Sequence, residues 1–191
     1  VGETFRNFPI EEGDLWIGDR AYSTSGSIFS AVKRQGDLLV RFNPWSTRTF
    51  LQDKRFGPKE LVRKLKQERK HVPVTFEVEL KEKSGDSVKA WVHCQRLPKE
   101  KAKEQRAGYL KRAKHKRNGG TEEGLYLAGW LLVLTTVSPD LLGAQECFDL
   151  YRMRWQVELV FKRYKSLLHI DELRVKKGSR LAMIRNYGKL L

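Results

Sequence analysis

Four side chains that are suited to binding a metal ion or a phosphate follow one another at helical spacing near the end of the chain. They are Tyr151, Arg154, Glu158 and Lys165, within the run YRMRWQVELVFKRYK. Because an α-helix turns by about 100° per residue, steps of three, four and seven place them on one narrow stripe. A single carboxylate flanked by cations can hold a metal ion close to a phosphate. The alternative is an ordinary solvated polar face.

The apolar residues of the same run fall on a neighbouring arc of the predicted helix. They are Leu150, Met153, Val157, Val160, Phe161 and Tyr164. The sequence therefore predicts a helix that buries this arc and presents the polar stripe beside it.

The composition favours a folded protein with a polyanionic partner. The chain has 191 residues, of which 40% are hydrophobic, enough for one core and a small inserted module. Its net charge of +15 favours nucleic acid over a membrane surface, since no helix combines a clean basic face with an exposed apolar face. The longest apolar run, residues 125–137, is too short to span a bilayer.

Cysteine and histidine show no metal-binding pattern. Cys94 and Cys147 lie far apart in apolar surroundings, which is typical of small core residues in a reducing compartment. The four histidines, at positions 71, 93, 115 and 169, lack ligand spacing. Carboxylates, which Mg²⁺ prefers, are therefore the candidate metal ligands.

The elements that would position these side chains follow an α/β order. Residues 15–18 predict a buried strand that ends at Asp19, residues 23–35 a helix, and residues 37–43 a second strand that pairs in parallel with the first. Further along, residues 125–137 predict a buried strand, and Ser138 is expected to cap a helix over residues 139–168. A basic amphipathic segment follows at residues 173–191.

The middle of the chain has the pattern of an insertion. Residues 72–80 and 88–94 alternate between apolar and polar side chains, which predicts an antiparallel hairpin. Residues 99–117 carry nine Lys or Arg against two Glu and predict a basic helix, which either binds a nucleic-acid backbone or is merely solvated. The predicted parts are a first core part at 1–43, a β-rich insertion with the basic helix at 44–124, and a second core part at 125–191.

Two motifs together resemble a known family. The spacing Tyr-x2-Arg-x3-Glu-x6-Lys around Glu158 resembles the signature of the YREK group of DDE transposases, the insertion-sequence-four family. The run DRAY that starts at Asp19 resembles the Asp-Arg-Gly-Tyr around that family's second catalytic Asp, with Ala21 in place of the usual Gly. The resemblance covers nearly the whole chain.

The resemblance implies a ribonuclease-H-like core that cuts and joins DNA ends with two Mg²⁺ ions, for which Mn²⁺ can substitute. Asp19 and Glu158 resemble the second and third catalytic, metal-binding acids. If the resemblance is set aside, the alternative is that Asp19 is a strand-end cap and that Glu158 forms an ion pair with a nearby cation on its helix.

Six other positions match DNA-contacting residues of the family. Tyr151, Arg154 and Lys165 resemble residues that grip phosphates near the cut, Trp130 and Trp155 resemble residues that stack on a flipped base, and Arg41 resembles an arginine near DNA. Trp130 and Trp155 fit plain core positions equally well.

The start of the chain departs from the family pattern. The family's first Asp lies on a core strand well before the second, whereas only eighteen residues precede Asp19, and Asp14 among them falls in a turn. We therefore expect a core truncated at its N-terminus that lacks the first acid and is inactive by itself.

The predicted function is that of a cut-and-paste DNA transposase. The resemblance implies transposon-end DNA and a second copy in a synaptic complex as partners, no membrane, and a bacterial cytoplasmic location near the nucleoid. One alternative is a non-catalytic DNA-binding remnant or transposition inhibitor. Another is a different ribonuclease-H-like nuclease such as a resolvase, against which the β insertion argues.

Overall fold

A mixed sheet dominates the computed structural model, which describes residues 4–68, 73–82, 85–115 and 120–168, without the side chains at 155, 158, 161 and 168. Seven strands lie in these ranges: β1 (Leu15–Gly18), β2 (Asp37–Arg41), β3 (Thr49–Leu51), β4 (Lys54–Arg55), β5 (Val74–Lys81), β6 (Ser87–Arg96) and β7 (Trp130–Thr135). Their order across the sheet is β1-β2-β7-β6-β5-β3-β4. β1 and β2 are parallel, and the other neighbouring pairs are antiparallel.

Five α-helices lie in the same described ranges. They are α1 (Ser25–Val32), α2 (Pro58–Gln67), α3 (Lys99–His115), α4 (Glu122–Leu127) and α5 (Ala144–Leu168). The Thr24 side chain caps α1 by accepting the N–H of Ser27, and Thr121 caps α4 in the same way. Such caps satisfy amide groups that the first turn of a helix leaves unpaired.

Apolar side chains are buried on both faces of the sheet. Alternate residues of β2 and β7 belong to different clusters: Leu38 and Leu134 join the larger one, while Leu39 and Val133 join the smaller one. The smaller cluster also contains three residues from the first turns of α5, namely Cys147, Phe148 and Tyr151. The start of α5 therefore packs against one face of the sheet.

The chain divides into two compact units, Val1–Tyr151 and Arg152–Leu191. Within the first unit, β5 and β6 of the predicted insertion continue the same sheet as β1, β2 and β7. The three-part division of the chain stays a prediction. The described part of the second unit is the remainder of α5, and the predicted amphipathic segment at residues 173–191 lies outside the described residues.

Several expectations from the sequence are confirmed. The fold is mixed α/β, β1 pairs in parallel with β2, and β5 and β6 form the expected antiparallel hairpin. The basic helix is present as α3. Both cysteines are buried and free, as expected of core residues. None of the helices in the described ranges is long and apolar enough to cross a bilayer.

Two element boundaries were wrong. The predicted strand at residues 125–137 begins only at Trp130, because α4 occupies the first part of that apolar run and is started by the Thr121 cap. The long helix begins at Ala144 instead of residue 139. Ser138 accepts the N–H of Asp140 in a turn, and the Glu146 side chain accepts the N–H of Gly143, 2.7 Å away, where α5 begins.

The predicted buried arc of the long helix was also wrong over most of its length. Met153, Val157, Val160 and Tyr164 are 57%, 55%, 48% and 46% exposed. Helical periodicity identifies residues that share a face, but it does not say whether another element covers that face. In the described residues of α5, the fully buried side chains belong to its first two turns.

Candidate active site and nucleic-acid interface

A direct contact joins the two motifs that the sequence singled out. The hydroxyl of Tyr151 on α5 donates a hydrogen bond to Oδ1 of Asp19, at 3.3 Å, across a separation of 132 residues. Tyr151 is 3% exposed, and Asp19 is half-buried. A carboxylate and a phenol from distant parts of the chain therefore meet at one end of the sheet.

The backbone leaves the Asp19 carboxylate available for this contact. β1 ends at Gly18, and the next residues form a 3-10 turn, Arg20–Tyr22, in which the Asp19 carbonyl accepts the N–H of Tyr22. The Asp19 side chain makes no capping hydrogen bond to this turn. The interpretation of Asp19 as an ordinary strand-end cap therefore lacks the side-chain hydrogen bond that defines a cap.

Three arginines lie next to this strand end. Gly18 is paired in register with Val40, so Asp19 and Arg41 are the next residues on two adjacent parallel strands. Arg20, Arg41 and Arg112 of α3 line one pocket. Desolvation lowers the pKa of the Arg20 guanidinium below its usual value, and the positive charges of Arg41 and Arg112 lower it further, against the opposing effect of Asp19. The pocket is therefore cationic.

Trp130 occupies a buried position in the same pocket wall. It is 4% exposed and belongs to the larger apolar cluster. The Arg96 guanidinium lies 5.0 Å from its ring centroid, and the Tyr126 ring lies 6.2 Å away. The indole thus contributes to the core and is covered by neighbours, while its predicted role towards a flipped base stays a prediction.

The other predicted residues of the signature lie on α5 beyond Tyr151. Arg154 is half-buried and Lys165 is exposed. The side chains of Trp155 and Glu158 lie outside the described residues, so the predicted convergence of the Asp19 and Glu158 carboxylates stays a prediction. Among the described residues, no three His, Cys, Asp or Glu side chains form a group that could hold a metal ion.

The sequence reasoning missed four residues of this region. Arg20, Trp45, Tyr109 and Arg112 all line the cationic pocket with Arg41. Arg20 directly follows Asp19, so its place beside the strand end was open to prediction. The position of Arg112 within the basic helix gave no such signal, because cations stand on both sides of it along that helix.

Comparison with known proteins agrees with the resemblance of the two motifs. A family model described as Transposase DDE domain matches residues 3–184 of the chain. The chain is 41% identical over 95 residues to a putative transposase, InsL, for insertion sequence element IS186A of Escherichia coli strain K12, and this match covers 50% of the chain and 26% of that protein.

Further relatives carry transposase names as well. The transposase for insertion sequence element IS421 of Escherichia coli is 41% identical over 95 residues, again 50% of the chain and 26% of the relative. The transposase for element IS231F of Bacillus thuringiensis subsp. israelensis is 35% identical over 78 residues, which are 41% of the chain and 16% of that protein. The chain thus matches only a minor share of the length of these relatives. Because the family model covers nearly every residue of the sequence, the chain belongs to the DDE transposase family.

Proposed function

We propose that this chain forms part of the catalytic domain of a cut-and-paste DNA transposase with a ribonuclease-H-like core. The observation that carries the proposal is the hydrogen bond between Tyr151 and Asp19. The two residues were selected from separate motifs, and their contact is what a single site assembled from both motifs requires. The family membership and the names of the relatives support the same activity.

Divalent metal ions serve the DDE family, and for this chain we propose Mg²⁺ held by Asp19 and Glu158. The Asp19 carboxylate suits such an ion, because it is a hard oxygen donor at a strand end and makes no cap hydrogen bond. Seven residues are nearly two turns of an α-helix, so the sequence spacing predicts that Glu158 shares the polar stripe of Tyr151. When bound, a pair of metal ions activates the attacking oxygen and stabilises the leaving oxygen of a phosphodiester.

The protein's own side chains would bind and orient the DNA strand. Tyr151 fixes the Asp19 carboxylate by donating to one of its oxygens. Arg41 lies beside that strand end, where its guanidinium can hold a phosphate in a bidentate manner. Arg154 and Lys165 supply further positive charge along α5, with Lys165 as a mobile point charge. Two copies of the chain are proposed to act together on a pair of transposon ends.

Paramagnetic Mn²⁺ tests the metal site in the 191-residue chain. We expect Mn²⁺ to broaden the NMR signals of amides near Asp19 selectively, and we expect Asp19→Asn to abolish this broadening and Glu158→Gln to reduce it. Asp140→Asn is the matched control, since Asp140 is an exposed acid in the turn before α5 and should leave the broadening intact.

DNA affinity, measured together with the Mn²⁺ effect, distinguishes a metal-binding catalytic domain from a non-catalytic DNA-binding protein. Asp19→Asn removes a metal ligand and a negative charge but no phosphate contact, so the affinity for duplex DNA should not fall below the wild-type value. A chain that binds DNA but shows no Mn²⁺ effect at Asp19, or one whose Mn²⁺ effect survives Asp19→Asn, would refute the proposed catalytic function.

A further inference from the structure

A buried pair of hydroxyl groups lies just beyond the point where β1 and β2 stop pairing. The last register pair of these two parallel strands is Gly18 opposite Val40. Ser23 follows the 3-10 turn after β1, Thr47 lies in the loop after β2, and both residues are 0% exposed. Their side chains therefore connect the two segments that leave the strands.

The donors and acceptors of this pair can be assigned from its contacts. The Thr47 hydroxyl donates to the Ser23 carbonyl, so the Thr47 oxygen accepts a hydrogen bond from the Ser23 hydroxyl, 2.7 Å away. The Ser23 hydroxyl oxygen in turn accepts the N–H of Asn43 at 3.3 Å. Each hydroxyl thus donates one bond and accepts another. A buried polar network that is satisfied in this way is rigid and specifies one arrangement.

Arg55 of β4 anchors the other side of the loop after β2. Its guanidinium donates to the carbonyls of Thr49, Thr47 and Pro44, at 2.9, 3.1 and 3.5 Å. A guanidinium presents its donors in a fixed fork, so a single side chain can bind several carbonyls of one loop. Thr47 is therefore held from the side of β4 as well, and it is a fixed point for Ser23.

These contacts bear on two groups of the candidate site, one next to each strand. Asp19 opens the 3-10 turn that ends at Ser23. Arg41, the last residue of β2, lies two residues before Asn43, whose N–H bonds to Ser23. A displacement of Ser23 would therefore move both the turn after β1 and the segment after β2.

We propose that Ser23 and Thr47 are positioning residues that hold the Asp19 carboxylate and the Arg41 guanidinium at one fixed spacing, which a metal ion bound next to a phosphate requires. This inference rests on the proposed function and extends it to two residues outside both sequence motifs. Mg²⁺ demands near-octahedral geometry, whereas Ca²⁺ accepts irregular sets of oxygen ligands. A loosened turn at Asp19 should therefore lose more affinity for Mg²⁺ than for Ca²⁺.

Threonine variants of nearly unchanged shape separate positioning from a general loss of stability. Thr47→Val removes the hydroxyl, and Thr47→Ser keeps it. Thr49→Val is the matched control, because Thr49 is also 0% exposed and its hydroxyl bond, to the Phe56 carbonyl at 2.9 Å, joins β3 to the residue after β4. Both valine variants should be less stable than the wild type in urea unfolding, since each leaves a buried carbonyl without a hydroxyl donor.

Amide hydrogen exchange in the metal-free chain tests the network itself. Thr47→Val should speed exchange at Asn43, whose N–H belongs to the network, and at Tyr22, whose N–H closes the turn after β1. The increase should exceed what the loss of overall stability causes at these amides in Thr49→Val, and Thr47→Ser should exchange at the wild-type rate. Equal exchange at both amides in the two valine variants would overturn the inference.

A Mn²⁺ titration, followed by the broadening of amide signals near Asp19, tests the effect on the site. The dissociation constant should rise about tenfold in Thr47→Val and stay at the wild-type value in Thr47→Ser and Thr49→Val. Competition against Mn²⁺ should show that Thr47→Val lowers the affinity for Mg²⁺ by a larger factor than the affinity for Ca²⁺. The same dissociation constant in Thr47→Val and Thr49→Val, or equal factors for the two competing ions, would overturn the inference.

Failure of the proposed function gives a different result from failure of this inference. A wild-type chain that shows no Mn²⁺ effect at Asp19 would refute the proposed function. A wild-type Mn²⁺ effect that Thr47→Val leaves unchanged would refute only the positioning role. The exchange rates, which need no metal ion, decide in either case whether Thr47 holds the turn after β1.

Discussion

The buried side chain of His93 should make the fold sensitive to mild acid. His93 has no exposed area, its Nδ1 lies 2.9 Å from the hydroxyl of Thr75, and its ring meets that of Phe148 edge-on at a centroid distance of 6.4 Å. Its Nε2 atom has no hydrogen-bond partner among the described residues. Burial lowers the pKa of His93 from 6.5 to about 4, because the imidazolium would lose its hydration inside the protein.

The sign and size of the effect follow from proton linkage. Between pH 6.5 and about 4, the unfolded chain binds a proton at this position and the folded chain does not. The free energy of unfolding therefore falls by up to about 1.4 kcal/mol for each pH unit in this window. The contribution of the neutral His93 side chain to the free energy of unfolding is fully present above pH 6.5. Up to about 3 kcal/mol of that free energy is lost as the pH falls to about 4.

Urea unfolding across this pH window measures the effect in the wild type and in His93→Gln. Glutamine is uncharged throughout and can still bond to Thr75, so the stability of the variant should depend less on pH. His115→Gln is the control, since His115 is exposed at the end of α3 and should leave the wild-type slope in place. Stability curves that run parallel for the wild type and His93→Gln would refute the assignment of the slope to this buried imidazole.

Two further predictions concern packing. Gly124→Ala should destabilise the chain by about 1–3 kcal/mol in urea unfolding, because its Cβ would overlap the Tyr109 side chain. Gly108→Ala, within α3, should instead stabilise it by about 0.5–1 kcal/mol, since its Cβ meets only the flexible end of Arg112; destabilisation by both changes would contradict the explanation. Cys94 and Cys147 should react with a thiol reagent only after unfolding, because both are buried, and burial raises the pKa of Cys147 to about 11 and that of Cys94 as well. Rapid labelling of the folded chain would show that these positions open to solvent.

The elements that the sequence predicted well are those whose patterns are local. β5 alternates in hydrophobicity along its whole length, and β6 does so apart from Trp91. The short apolar run of β1 is bounded by turn residues on both sides. The apolar run at residues 125–137 was different, because it holds the end of α4 and all of β7. Hydrophobicity alone does not separate a helix from a strand in such a run. The missed signal was Thr121, a capping residue followed by two acids in the first turn of α4.

The sequence predicted those residues of the candidate site whose side-chain chemistry and spacing form a motif. It did not predict the residues that only tertiary packing brings to the site. Asp19 and Tyr151 came from motifs, and their contact in the fold agrees with that selection. Trp45 and Arg112 lie in segments that the sequence assigned to no site or to a uniformly basic helix. Their convergence depends on how α3 and the loop after β2 pack around the sheet, and no period in the sequence encodes that packing.

Equal angular positions on a helix do not give side chains equal roles. The spacing places Tyr151, Arg154 and Lys165 on one stripe, yet Tyr151 is buried against the sheet and Lys165 is exposed to solvent. The difference arises because the first turns of α5 cover one sheet face, whereas the exposed residues lie further along the helix. The hydroxyl of Tyr151 is a buried polar group, and its bond to Asp19 meets the cost of burying it. The same bond joins α5 to the end of β1 and adds a polar contact to the packing of Cys147 and Phe148 with Leu39 and Val133.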